Sequence, residues 1–250
     1  MKFSIENINL QKSKAENTNE GRMSPENIEE NIERFCHEVL IQEQEIGEGN
    51  FAWVYNDIHD NGLCYKKFKP GAENRMNISA YSEMKFLESV HGLDSEVKTP
   101  YPIGLAEVVI NNQEKNKKRL IKVIAMEYFE NSTKLEDVIN PRTPDLQKLF
   151  PESFDTDSFF EKLSTFIDKL HTERGIYHRD LFSRNILIDN ETGNPIVIDF
   201  GDASYNSTNE THDAYGRPLY GNENKNDLDL ERVSTMKDDV ESYIDKLNKK

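Results

Sequence analysis

The sequence predicts an α+β fold in two successive parts, an antiparallel sheet carrying one helix and then a mainly helical part. Three observations lead there. Between Val39 and Phe129, short apolar segments rich in β-branched and aromatic residues alternate with glycine and charged turns, as hairpin-linked strands do. From Asp157 onward, apolar residues recur at intervals of three and four, the spacing of helices. The 250 residues are enough for one large domain or for a two-lobed unit with a real core.

Taken in order, residues 1–23 are polar, rich in Asn, Glu, Lys and Ser and without a sustained period, so they are expected to be disordered. "SPENIEENIERFCHEVL" then offers Ser24 as an N-cap and Pro25 at the first helical position, with Ile28, Ile32 and Phe35 on one face. "VLIQEQEIGEGNFAWVYNDIHDNGLCYKKFK" reads as three strands joined by a glycine turn and an Asp-Asn-Gly turn. "NISAYSEMKFLESVHG" is helical, with Met84, Phe86, Leu87 and Val90 near one face and Gly92 as a stop. "IGLAEVVIN" and "RLIKVIAMEYF" are two further strands around the charged turn "NQEKNKK", which brings the sheet to five.

The second half opens with "DSFFEKLSTFIDKLHTERG", whose Phe159, Phe160, Leu163, Phe166, Ile167 and Leu170 form a helical stripe ending at Gly175. "IYHRDLFSRNILID" (176–189) and "NPIVIDFGDAS" follow, the latter alternating like a hairpin strand; residues 204–214 read as polar loop. The last segment spaces Leu230, Val233, Met236 or Lys237, Val240, Ile244 and Leu247 as a single amphipathic helix.

Composition narrows the function. A net charge of −15 argues against nucleic acid and anionic membrane as partners, since phosphate binding rests on clustered Lys and Arg. No apolar run approaches the roughly 18 residues of a membrane span, and "MKFSIENINL" lacks the apolar block of a signal peptide. Two cysteines, Cys36 and Cys64, make neither a disulfide framework nor a metal quartet, which suits a reduced, cytoplasmic protein.

The chemistry concentrates in a few places. In "GEGNFAWV", Gly47 and Gly49 sit between two strands, where glycines let backbone N–H groups approach phosphates. Lys66 and its neighbour Lys67 lie on the next strand, and Glu83 on the helix after it. In "HRDLFSRN", Asp180 and Asn185 stand five residues apart, and "DFG" (Asp199 to Gly201) follows a hairpin later. A carboxylate, an amide and a second carboxylate can converge on a hydroxyl and on Mg²⁺, a cation that takes hard oxygen ligands. His178, flanked by Ile176, Tyr177 and Leu181, reads as a packed core histidine.

From about Ile46 to Tyr220 these pieces resemble, in order and spacing, the eukaryotic-type protein kinase family. The resemblance implies a two-lobed protein kinase-like fold: a five-stranded antiparallel sheet plus the helix that the family calls αC, then a reduced helical lobe. Residues 1–38 would be a flexible N-terminal segment with a short helix, 39–131 the first lobe and 132–250 the second. It places Gly47 and Gly49 over the ATP phosphates, Lys66 (rather than Lys67) on the α- and β-phosphates, and Glu83 as that lysine's partner. Phe51, Val54, Cys64, Met126, Glu127, Phe129 and Leu187 fall on nucleotide-binding positions, with Met126 as gatekeeper and Leu187 under the adenine. Asp180 falls on the catalytic base, and Asn185 and Asp199 on the Mg²⁺ ligands, with Mn²⁺ as a substitute. Leu87, His178 and Phe200 fall on the packed column behind the site.

The departures from the family pattern are specific. Ala52 replaces the third glycine of the loop. Phe182 stands where serine/threonine kinases place a lysine two residues after the catalytic aspartate, while Arg184 matches many tyrosine kinases and is expected as a catalytic residue that stands in for that lysine, bridging the γ-phosphate and Asp180. "YGRPLY" resembles the serine/threonine-type "GTPxY" with Arg217 for Thr, so the two cues point opposite ways. About fifty residues remain after Asp199, fewer than an ordinary kinase uses there. Such a short lobe is similar to the minimal kinases that some pathogenic bacteria inject into host cells. It implies a catalytic loop less rigidly held, with a host or cognate protein as activating partner.

The function expected is therefore transfer of the γ-phosphoryl group of Mg·ATP to a Ser or Thr hydroxyl of a protein substrate, with tyrosine or dual specificity left open. The location expected is cytoplasmic or, for a secreted bacterial effector, the host cell cytoplasm. The alternatives are a small-molecule phosphotransferase and a partner-binding pseudokinase.

Overall fold

The computed structural model describes residues 3–12, 25–38, 45–48, 52–57, 62–69, 79–112, 117–139, 149–205 and 225–249. They divide into two compact units, Met1–Glu88 with Pro100–Glu130, and Ser89–Thr99 with Asn131–Lys250.

The first unit is built on an antiparallel sheet. Its strands are β1 (Phe3–Lys12), β2 (Glu45–Glu48), β3 (Ala52–Asn56), β4 (Leu63–Phe68), β5 (Pro102–Asn112) and β6 (Lys117–Glu127), in the order β1-β5-β6-β4-β3-β2. The last five are the strands expected from the sequence. Strand β1 corrects the expectation that residues 1–23 are disordered: it pairs along β5, from Phe3 opposite Asn112 to Lys12 opposite Gly104. Its period escapes a simple alternation test because the register shifts between Ile5 and Asn7. A bulge of this kind changes the parity of the strand, so Ile5, Ile8 and Leu10 all pack against the same core.

Helix α1 (Pro25–Glu38) covers one face of this sheet, burying Ile32, Phe35 and Cys36 with Tyr55, Tyr65, Ala106 and Val108. Phe35 stacks on Tyr65 with ring centroids 3.7 Å apart. The buried Asp57 is satisfied by Tyr65 Oη at 2.6 Å and by the Arg34 guanidinium at 3.2 Å. Because successive strand residues face opposite ways, Tyr65 toward α1 leaves Lys66 on the other face. There it meets α2 (Ala80–Val90), whose Met84, Phe86, Leu87 and Val90 are buried as its apolar face predicts. Gly92, in the left-handed region at φ 71°, follows the helix end.

In the second unit, β9 (Ile186–Asp189) lies between β7 (Ser132–Lys134) and β10 (Pro195–Val197), while β8 (Ile176–Tyr177) pairs with β11 (Ser204–Tyr205). Helix α3 (Leu135–Ile139) is short, and α4 (Thr156–Arg174) forms the core. Asp155 caps α4 by accepting the Ser158 N–H at 2.8 Å. Gly175, at φ 62°, ends it by donating to the His171 and Leu170 carbonyls. All six residues of the expected stripe of α4 are 2% exposed or less, each contributing about 1.5–3 kcal/mol of burial. Helix α5 (Lys225–Leu247) is the amphipathic C-terminal helix, burying Val233, Met236 and Val240. The "YGRPLY" segment lies outside the described residues. No helix of the described residues is long and apolar enough to cross a membrane.

Candidate active site

In the first unit, strand register sets the lysine. Lys66 stands opposite Val54 on β3 and Ile124 on β6. Its Nζ donates to Glu83 Oε1 at 2.7 Å, with the residues only 8% and 2% exposed. Two charges buried this far depend on each other, since removing either strands the partner in a poorly solvated place. Lys67 goes the other way, its Nζ lying 5.4 Å from the Trp53 ring centroid and 5.5 Å from that of Tyr55. Of the two lysines, Lys66 is the one that pairs with Glu83.

The expected nucleotide-binding residues of this unit share neighbouring strands. Gly47 lies in β2 opposite Val54, while Gly49 and Phe51 fall outside the described residues. Cys64 pairs in register with Met126, and its thiol reaches the Glu127 carbonyl at 3.6 Å. Burial, reinforced by Glu127, pushes that thiol up to about 12, so it stays neutral and unreactive. Glu127 exchanges with Tyr101, its N–H donating to the Tyr101 carbonyl at 2.9 Å and its carboxylate accepting the Tyr101 N–H at 3.3 Å. Phe129, just beyond β6, is half-buried.

In the second unit, the loop after β8 gathers two of the expected residues around the carboxylate of a third. Asp180 Oδ1 accepts from Arg184 Nη2 at 2.6 Å and Oδ2 from Asn185 Nδ2 at 2.8 Å. The same amide nitrogen also donates to the Asp180 carbonyl at 2.8 Å, which fixes which end of the Asn185 amide is oxygen. Asp199 is held on the later turn, where its Oδ1 accepts the Gly201 N–H at 3.3 Å. Leu187 is half-buried on β9. His178 is fully buried, with its ring 4.8 Å from that of Phe200 and its Nε2–H donating to the Ile198 carbonyl at 3.0 Å.

Two residues in this loop system adopt backbone that L side chains rarely take: Arg179 at φ 67° and Asp199 at φ 63°. Each costs on the order of 1–2 kcal/mol and persists only where the surroundings impose it. For Arg179 the surroundings are α5. Asp229, 1% exposed, accepts the His178 N–H at 2.8 Å and the Arg179 N–H at 3.1 Å, and His171 Nε2–H donates to it at 3.2 Å. Burial alone would raise the Asp229 pKa. The His171 hydrogen bond, the His178 and His171 charges and the His178 N–H outweigh it and hold the carboxyl below its ordinary value. Arg232, one turn on, donates to the Arg179 carbonyl.

Sequence reasoning missed Asp229 and Arg232. The signal was there for the first: Asp229, Val233, Met236 and Val240 share one helical face, and a carboxylate on a buried stripe needs a partner. Where the short lobe led to the expectation of a loosely held loop, α5 bonds to the backbone of residues 178 and 179 from within the chain.

The first unit thus turns Lys66 to Glu83, and the second fixes the Asp180 carboxylate with Arg184 and Asn185. The protein kinase domain model matches residues 40–222, and the chain belongs to that family. It is 27% identical over 173 residues to two proteins of Encephalitozoon cuniculi, the probable cell division control protein 7 homologs 1 and 2. Those matches cover 69% of this chain and 42% of each of theirs. It is 26% identical over 216 residues to the probable serine/threonine-protein kinase fnkE of Dictyostelium discoideum, covering 83% of this chain and 15% of that one. The chain thus spans less than half the length of these relatives. Among solved structures, that of WaaP in complex with acyl carrier protein aligns with a TM-score of 0.44 at 15% identity, over 90% of this chain and 79% of that one.

Proposed function

We propose that this kinase transfers the γ-phosphoryl group of Mg·ATP to a serine or threonine hydroxyl of a protein. The observation that carries the reading is the Asp180 carboxylate, held on one oxygen by Arg184 and on the other by Asn185. A carboxylate fixed in this way can orient an acceptor hydroxyl and take its proton as the phosphoryl group moves. Lys66, oriented by Glu83, is the cation for the α- and β-phosphates. The serine/threonine preference is supported by the name of the fnkE relative.

The donor chemistry fits a divalent ion. Both nitrogen-donor bonds of Asn185 go to Asp180, so its amide oxygen and the Asp199 carboxylate are the hard oxygen donors that Mg²⁺, or Mn²⁺ in its place, prefers. When bound, the ion neutralises phosphate charge.

Calorimetry and phosphoryl-transfer assays on two variants test the assignment. Asp180→Asn should slow transfer by about two orders of magnitude or more and leave Mg·ATP binding nearly intact. Asp199→Asn should weaken Mg·ATP binding itself. An Asp180→Asn chain that loses the nucleotide, beside an Asp199→Asn chain that keeps both metal and nucleotide, would show that the roles are misassigned.

A further inference from the structure

Arg184 is a long side chain, 40% exposed, on a residue that must keep station against Asp180. An ion pair exposed to this degree contributes little when the arginine is left to its own rotamers. Here it is not. The Arg184 guanidinium lies 4.5 Å from the centroid of the Phe182 ring, and the Arg232 guanidinium lies 4.2 Å from the same centroid. Arg232 is in turn tied to the Arg179 carbonyl and rooted on α5 three residues after the buried Asp229. A continuous series of contacts therefore runs from α5 through Arg232, Phe182 and Arg184 to Asp180 Oδ1.

The chemistry suits this use. A guanidinium is planar and weakly hydrated, so it lies on an aromatic face and still donates in its own plane to a carboxylate. Phe182 occupies the position two residues after Asp180, and with an aromatic there the nearby cation comes from Arg184 instead. A ring alone would give Arg184 a surface to lie on. A ring whose electron-rich face also engages a second, anchored guanidinium has its own position fixed.

We propose that Phe182 and Arg232 are positioning residues of the active site: together they set the Arg184 guanidinium on Asp180 and so hold the carboxylate in one rotamer. This rests on the phosphoryl-transfer reading of the same site. It makes α5 part of the catalytic apparatus through side chains, beyond its hold on the backbone.

The test compares kcat and the KM for ATP in Phe182→Leu, Phe182→Tyr and Arg184→Ala, and in the double variant Arg184→Ala/Phe182→Leu. Phe182→Leu, which keeps volume and loses the ring, should lower kcat about tenfold with KM for ATP unchanged within about twofold. Phe182→Tyr keeps the ring and should restore the rate. In the Arg184→Ala background, Phe182→Leu should cost nothing further, because the residue through which it acts is gone. A Phe182→Leu loss of the same size with and without Arg184 would overturn the proposal, as would no loss at all.

A second measurement separates this idea from the reading beneath it. The Arg184 Nε–Hε resonance should be shifted by the Phe182 ring and protected from exchange in the wild type, and should lose both properties in Arg232→Ala. An unchanged Arg184 signal in Arg232→Ala overturns the positioning role whatever the activity. A wild-type chain that shows this signal change on substitution but transfers no phosphate from Mg·ATP leaves the stack standing and sinks the phosphoryl-transfer reading.

Discussion

Lys66 and Asp180 are both buried and both paired, but they are held in different ways. Lys66 sits in the middle of a regular strand, and its orientation follows from alternation and from the registers of β3, β4 and β6. An ion pair with Glu83 on a regular helix completes it. Asp180 sits in irregular backbone next to a residue in the left-handed region, and its setting depends on bonds from Arg184, Asn185, Asp229 and Arg232. Ladder hydrogen bonds stabilise the first arrangement cooperatively. The second is a network, and a network fails when its most shared member is removed.

That member is Asp229, and its removal carries the largest effect expected. Asp229→Ala would leave the buried His178 N–H, the partly buried Arg179 N–H and the His171 ring without this acceptor, and should destabilise the second unit by about 3–5 kcal/mol. Its folded-state pKa lies below its unfolded value, so its contribution is fully present above the ordinary carboxylate range and fades as pH falls through the folded value. The stability gap between wild type and Asp229→Asn, read by urea unfolding, should therefore be full at neutral pH and narrow below about pH 4. A gap of equal size at pH 7 and about pH 3 would mean that the charge of Asp229 is not what holds the loop.

Next comes the lysine pair. Lys66→Met should cut phosphoryl transfer by about a hundredfold or more, the scale of a lost electrostatic group, and should also destabilise, because Glu83 keeps its buried carboxylate without its ammonium. The double variant Lys66→Met/Glu83→Leu should regain stability and remain inactive, since a buried ion pair can be replaced by apolar groups at little cost. Recovery of activity in the double variant would show that the pair is structural alone. Failure to recover stability would show that it is embedded in a wider network, as Asp180 is, and the contrast between the two regions would disappear.

The same contrast governs what could be read from the sequence. The five strands β2–β6, the buried face of α2 and the stripe of α4 were legible because each is a local period of two or of three to four. Strand β1 was not, since the bulge between Ile5 and Asn7 moves the apolar residues from odd to even positions and hides the alternation among Asn and Glu. Asp180, Arg184 and Asn185 lie within one short motif and were singled out together, Arg184 as reaching Asp180 and Asn185 as a metal ligand. Its brace was not, because Asp229 and Arg232 stand about fifty residues downstream and nothing local connects them to residues 178–182. Sequence periodicity could show that Lys66 and Lys67 face opposite ways but not which faces Glu83; α1, by claiming Tyr55 and Tyr65, decides it.

Lys67 provides the smallest expected effect and a direct check on that decision. Its ammonium lies over Trp53 and Tyr55, at 5.4 and 5.5 Å from their centroids, on the face away from Glu83. Cation–π contacts of this kind contribute about 0.5–1 kcal/mol when partly exposed, and methionine keeps most of the apolar stem that covers the rings. Lys67→Met should therefore lower stability by less than about 1 kcal/mol and leave the rate and the KM for ATP within about twofold of wild type. The measurement is a steady-state assay beside Lys66→Met, with thermal unfolding of both. If Lys67→Met loses as much activity as Lys66→Met, the strand does not separate a catalytic face from a structural one, and Lys66 depends on as wide a network as Asp180 does.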